Sequence, residues 1–225
     1  MAMTILHSLI LAGGASARMG ADKSLFRYHE APQVSYLAGL LGRHTDEVFV
    51  SVRREGIPSL PAGLKLLPDR DEGVGPLEGI LGAFERDPEA GWLVVAVDLP
   101  FVTEATLKTL MAARDPEVCA TAFRNPVDGR PEPVLAIYEP AILPTLRRRK
   151  AEGRYSLMLL LDLPHRLVEA GDPRELRNVN TPSDYAAYLA EAAPPAAAPL
   201  AEAGGRLAPR LRTRGGAASR PGHGP

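Results

Sequence analysis

Apolar and polar positions follow two rhythms along the first 190 residues. Short apolar runs at Ile5–Leu11, Glu47–Val52, Leu64–Leu67, Trp92–Val97 and Val118–Phe123 read as β-strands. Trp92-Leu-Val-Val-Ala-Val97 is apolar throughout, which suits a central parallel strand covered on both faces. Between these runs the spacing becomes helical. Pro32 opens a helix reaching about His44, and Pro76 starts another in which Leu77, Ile80, Leu81 and Phe84 share a face up to Asp87. Thr103 caps a third helix to about Arg114. Thr181 caps a last one, with Pro182 at its first position and Asp184 complementing the dipole, and it ends near Ala192.

Alternating strands and helices predict an α/β fold: a doubly wound, mostly parallel sheet with helices on both faces. Ligands in such sheets bind outside the carboxyl ends of the strands. That rule gathers three loops, Leu11–Lys23, Asp69–Gly75 and Asp98–Phe101, at one edge. The folded part is expected to span residues 1–191. Residues 192–225 hold 22 Ala, Pro or Gly among 34, with five arginines against one glutamate. Such a segment buries too little apolar surface to offset its ordering entropy and is expected to be a disordered tail.

Composition narrows the function. The formal net charge of −1 gives no argument for nucleic acid or a membrane surface. No apolar stretch approaches a bilayer span, and no basic segment precedes the first apolar run, so a cytoplasmic protein is expected. The lone Cys119 excludes an intrachain disulfide and fits a reducing compartment. Its place in an apolar run reads as an inert core thiol. The five histidines are scattered and offer no zinc-ligand spacing.

The chemistry concentrates in Leu11-Ala-Gly-Gly-Ala-Ser-Ala-Arg-Met-Gly-Ala-Asp-Lys23. Paired glycines at a strand end let backbone N–H groups approach a phosphate, and Arg18 and Lys23 supply positive charge. A P-loop would need Lys directly after the last glycine, and a dinucleotide fingerprint would need G-x-G-x-x-G. Neither fits, so the loop reads as a nucleoside triphosphate site of another kind. A triphosphate needs Mg²⁺, which takes one or two carboxylates and leaves the remaining positions to phosphate and water. Asp98, ending the most apolar strand, is costly to bury unpaired and should face the cleft.

These residues carry a resemblance. L-x-G-G-x-x-x-R-M-G-x-x-K is the nucleotidylyltransferase signature, and in the form LAGGxSxRMGxDK it resembles the molybdenum cofactor guanylyltransferases, the molybdopterin guanine dinucleotide synthases. The resemblance runs from about Leu6 to Tyr188. It implies transfer of GMP from GTP to molybdenum-molybdopterin cofactor, with Mg²⁺ as cofactor. It makes Arg18, Lys23 and Asp98 catalytic, and Asp98, in D-x-P-[FY], the metal ligand. Leu11, Ala12, Gly13, Gly14, Lys23, Asp69 and Asp98 become GTP contacts.

On the acceptor side the segment from Asn125 to Tyr138 is similar to the family's second-substrate region. Asn178-Val-Asn-Thr-Pro-Ser-Asp184 is similar to N-x-N-T-P-x-[DE], which implies acceptor contacts at Asn178 and Asn180. Amides suit a pterin edge, and Arg130 and Arg154 are candidates for the acceptor phosphate.

Two positions depart from the family pattern. Ser51-Val-Arg-Arg54 stands where Asn is frequent, and Glu78 replaces the alanine of GPLAG. Both are expected near the base and ribose pocket and leave GTP-versus-CTP selectivity open. Asp71 and Glu72 read as solvated loop acids. Two other readings stay open: the same fold using CTP or a sugar-phosphate acceptor, and a nucleotide-binding regulatory protein without turnover. Contact of the tail with molybdoenzymes or cofactor-delivery proteins stays open too.

Overall fold

A computed structural model describes residues 5–13, 23–54, 57 and 60–192, with backbone only for Lys23 and Ala192. The loop from Gly14 to Asp22, including Arg18, and the expected tail lie outside these residues.

Seven strands form one sheet among the described residues: β1 (Leu6–Leu11), β2 (Val48–Val52), β3 (Lys65–Pro68), β4 (Gly91–Ala96), β5 (Ala120–Arg124), β6 (Pro131–Tyr138) and β7 (His165–Val168). Their order is β3-β2-β1-β4-β6-β5-β7. β1 pairs in parallel with β2 and β4, and β5 pairs in parallel with β7. Only β6 runs against the rest, antiparallel to both β4 and β5. The six residues joining β5 to β6 permit a hairpin and are far too few for a parallel crossover. The mostly parallel, doubly wound expectation therefore holds with one reversed strand.

Five α-helices occur among the described residues: α1 (Gln33–Leu41), α2 (Pro76–Arg86), α3 (Glu104–Ala112), α4 (Leu143–Ala151) and α5 (Pro182–Ala192). Leu77, Ile80 and Phe84 of α2 and Leu146 of α4 pack with Leu9, Trp92 and Val94 on one face. Val34 and Leu37 of α1 and Leu107 and Leu110 of α3 pack with Ile10, Leu93 and Val95 on the other. Every residue of β4 is buried, as its unbroken apolar run requires.

The helix boundaries follow the capping chemistry, with one shortening. α1 stops at Leu41 with Gly42 as its C-cap, short of His44. Thr103 and Thr106 form a reciprocal capping box at the start of α3. Asp184 Oδ2 accepts the backbone N–H groups of Asn180 and Thr181, both at 2.9 Å, while Thr181 Oγ1 accepts the N–H of Asp184. Those bonds to Asn180 and Thr181 hold the Asp184 carboxyl below its ordinary range.

Candidate active site

The carboxyl ends of the parallel strands β1, β2, β3 and β4 lie at one edge of the sheet. Leu11 ends β1. Its carbonyl accepts from Val97 N–H at 3.1 Å, and the N–H of Ala12 donates to the carbonyl of Ser51 at 2.9 Å. The sheet's bonding thus continues past β1, and the amide of Ala12 is committed to it. Gly13 then lies against Asp69, since a Cβ on Gly13 would stand 2.8 Å from Asp69 Oδ2. The first and second expected loops meet there.

Asp69 is fixed from two sides. Its backbone N–H donates to the carbonyl of Val52 at 2.9 Å, and its Oδ1 accepts from Ser51 Oγ at 2.8 Å. Burial pushes its carboxyl above the ordinary range, against the pull of the Ser51 bond. A cavity opens beside it, lined by Leu11, Gly13, Ser51, Arg53, Asp69, Gly75 and Pro76. It adjoins a second depression lined by Arg53, Arg54 and residues of the 69–75 loop. Gly75 precedes α2 with φ 74°, a conformation available to glycine at little cost. Gly79 serves a close helix–sheet contact. A Cβ there would run into Leu11 Cδ2 at 2.8 Å and into Ser51, so the glycine brings α2 against β1 and β2.

Asp98 follows β4 on a loop clamped through its carbonyl groups. Val179 N–H donates to the Asp98 carbonyl at 2.9 Å. Gln33 Nε2 donates to that of Leu99 at 3.4 Å, His29 Nε2 to that of Pro100 at 3.2 Å, and Tyr36 Oη to that of Val102 at 3.4 Å. The His29 ring stacks on Tyr36 with centroids 3.6 Å apart. Burial lowers the His29 pKa, opposed by the Pro100 bond. The carboxylate thus stands on a preorganised platform.

The Asp98–Val179 bond also ties the Asn178–Asp184 segment to the loop after β4. Val179 is buried against Tyr28 and Tyr188, which puts Asn178 and Asn180 on either side of the anchored residue. Asn178 Oδ1 is buried without a hydrogen-bond partner among the described residues. Arg130 and Arg154 stand half-exposed in other loops. Arg130 Nε lies 3.8 Å from Asp128, and Arg154 Nη1 lies 3.5 Å from Glu152.

Several residues enter that the sequence reading missed. Glu132, on β6 between two prolines, is buried and accepts from Asn125 Nδ2 at 3.3 Å. Burial raises its pKa, and the nearby Asp98 charge adds to the effect. The lone acid in an apolar run was its signal. Tyr28 has its hydroxyl buried with no partner among the described residues, and burial together with the Asp98 charge raises its pKa. Its signal was weak, because Tyr28 lies in a segment with no periodicity.

Asp71 is exposed, as expected of a loop acid, yet paired: its Oδ2 lies 2.6 Å from Lys150 Nζ. Glu78 is buried and borders a cavity with Arg54, Asp69 and Gly79. Its Oε2 lies 2.6 Å from the same Lys150, and its Oε1 accepts from the N–H of Arg70 at 3.3 Å. Glu72 is exposed, as expected. Cys119 is buried, and burial raises its thiol pKa, in keeping with an inert core residue.

Asp98, the unpartnered Asn178 Oδ1 and the buried Glu132 are hard oxygen donors suited to a divalent ion of the Mg²⁺ kind. Among the described residues no three His, Cys, Asp or Glu side chains converge on a metal position. No described helix is long and apolar enough to cross a membrane.

Comparison with known proteins shows the family and the fold. Residues 8–171 match the family model described as the MobA-like NTP transferase domain. A "Molybdenum cofactor biosynthesis bifunctional protein" of Synechocystis is 33% identical over 81% of the chain, which spans only 53% of that relative. A "Probable molybdenum cofactor guanylyltransferase" of Deinococcus radiodurans is 32% identical over 82% of this chain and 94% of its own. The crystal structure of molybdopterin-guanine dinucleotide biosynthesis protein A from Archaeoglobus fulgidus superposes with a TM-score of 0.68. It covers 81% of this chain and 96% of that one at 21% identity, a likeness of fold.

Proposed function

Because this chain belongs to the MobA-like NTP transferase family and is a nucleotidyltransferase, we propose that it transfers GMP from GTP to molybdenum-molybdopterin cofactor, releasing pyrophosphate. The Asp98–Val179 hydrogen bond carries this reading. It joins the nucleotide end of the cleft to the Asn178–Asn180 segment that resembles the family's acceptor motif.

A terminal phosphate oxygen of the acceptor forms its bond to the α-phosphorus of GTP. The bond from that phosphorus to the bridging oxygen breaks, and pyrophosphate departs with both electrons. The acceptor phosphate is already anionic near neutral pH, so catalysis reduces to positioning and charge stabilisation. Leu11, Ala12, Gly13 and Gly14 border the nucleotide, and Asp69 fixes the wall opposite Gly13. Asp98 would hold Mg²⁺. Bound there, the ion offsets charge on the α-phosphoryl group and pyrophosphate.

Arg18 and Lys23 are assigned to the same anionic oxygens. Asn178 and Asn180 offer both donors and acceptors to a pterin edge. Arg130 and Arg154 are assigned to the acceptor phosphate. The reading confines catalysis to residues 1–191, gives residues 192–225 no part in it, and places the enzyme in the cytoplasm.

The test is pyrophosphate release by the purified chain with molybdenum-molybdopterin and either GTP or CTP, with Mg²⁺ present. Release with GTP and formation of the guanine dinucleotide support the reading. Release with CTP alone, or none with either, rejects it.

A further inference from the structure

Glu78 occupies a position where a small residue would pack without charge. Its carboxylate is only 4% exposed, in the first turn of α2. Burying a carboxylate costs several kcal/mol unless it is paired, so its partners must be supplied by the fold. They come from two places. Lys150 on α4, 72 positions along the chain, brings Nζ to 2.6 Å from Glu78 Oε2 and 2.6 Å from Asp71 Oδ2. The N–H of Arg70 donates to Glu78 Oε1 at 3.3 Å. Two successive residues of the 69–75 loop are thereby tied to α2 and α4. Burial works to lower the Lys150 pKa, but the bonds to Asp71 and Glu78 outweigh it and hold the ammonium above its ordinary value.

A paired, buried charge adds little net stability over an apolar replacement, whereas its directional bonds fix geometry. The geometry fixed here is that of the loop lining the Asp69 cavity. We propose that Lys150 is a positioning residue of the nucleotide site, locking the Asp69–Gly75 loop into its nucleotide-binding shape through Asp71 and Glu78. This rests on the reading above that the Asp69 cavity receives the nucleotide.

The test is GTP affinity of the full chain, by calorimetric titration with Mg²⁺, alongside KM and kcat. Asp71→Asn and Lys150→Gln are each expected to weaken GTP binding about 5-fold or more, with kcat at saturating GTP within about 2-fold. The double variant should be no weaker than the worse single one. Lys150→Arg, which keeps the charge, should restore most of the affinity. If Lys150→Gln fails to fold, Asp71→Asn decides alone, because its side chain is 60% exposed and Glu78 keeps its partner. Unchanged GTP affinity in Asp71→Asn, or strictly additive losses, overturns the proposal. Asp69→Ala separates the two levels. If it leaves GTP affinity intact, the nucleotide assignment itself fails. If it weakens GTP while Asp71→Asn does not, only the role of Lys150 is lost.

Discussion

The backbone N–H of Val179 donates to the carbonyl oxygen of Asp98 at 2.9 Å, across 81 positions of sequence. The bond runs backbone to backbone and ties the segment that follows β4 to the one that precedes α5. On the function proposed above, a change at either end of this junction should be felt in the chemical step.

Asp98→Ala and Lys23→Ala are each expected to lower turnover by on the order of 10²–10³, the usual loss when a preorganised electrostatic group is removed. Steady-state pyrophosphate release with saturating GTP and acceptor measures it. Near-normal kcat in both purified variants would reject the roles assigned to them.

Gly13→Ala should strike nucleotide binding harder than stability. Its Cβ would stand 2.8 Å from Asp69 Oδ2, so either the carboxylate or the loop entrance must shift. The expected result is a rise in KM for GTP of about 10-fold, with a stability change of about 1 kcal/mol. A normal KM would show that the Gly13–Asp69 contact does not shape the pocket.

His29 should make stability fall as the pH drops below about 6.5. Its folded pKa lies below the ordinary histidine value, about 6.5, because burial disfavours the imidazolium. Between the two values the unfolded chain binds the extra proton and the native one does not. The contribution is therefore complete above 6.5 and declines toward the folded pKa. Urea unfolding of wild type and His29→Gln at pH 7.5, 6 and 5 checks this. An equal pH slope in both proteins would remove His29 as the source.

Arg114 and Glu139 form a bidentate pair at 2.7 and 3.0 Å, with Glu139 1% exposed. Arg114→Met leaves a buried carboxylate without this partner and should cost about 3–5 kcal/mol. The Arg114→Met, Glu139→Met double variant should recover much of that loss. Denaturant midpoints read both, and a double variant as unstable as the single would refute the argument.

The sequence was most legible where local chemistry sets the outcome. The apolar run ending at Val97 gave a buried β4, Thr103 and Thr181 marked helix starts, and Pro76 opened α2. The same local logic put Asp69 and Asp98 at strand ends, on the side where α/β sheets bind ligands. It failed for β6, whose reversed direction depends on a hairpin, and for Glu132, whose burial depends on neighbouring strands.

By itself, then, the sequence determined the α/β rhythm, the helix starts and the acids that follow the strands. These follow from periodicity, capping and backbone sterics, which act over a few residues. Only the tertiary structure decided that Glu78 answers to Lys150, that Val179 anchors Asp98, and that Gly13 lies against Asp69. Those pairings join residues 56 to 81 positions apart. Such contacts form only when the packed sheet and helices bring distant segments together, and no local pattern in the chain encodes them.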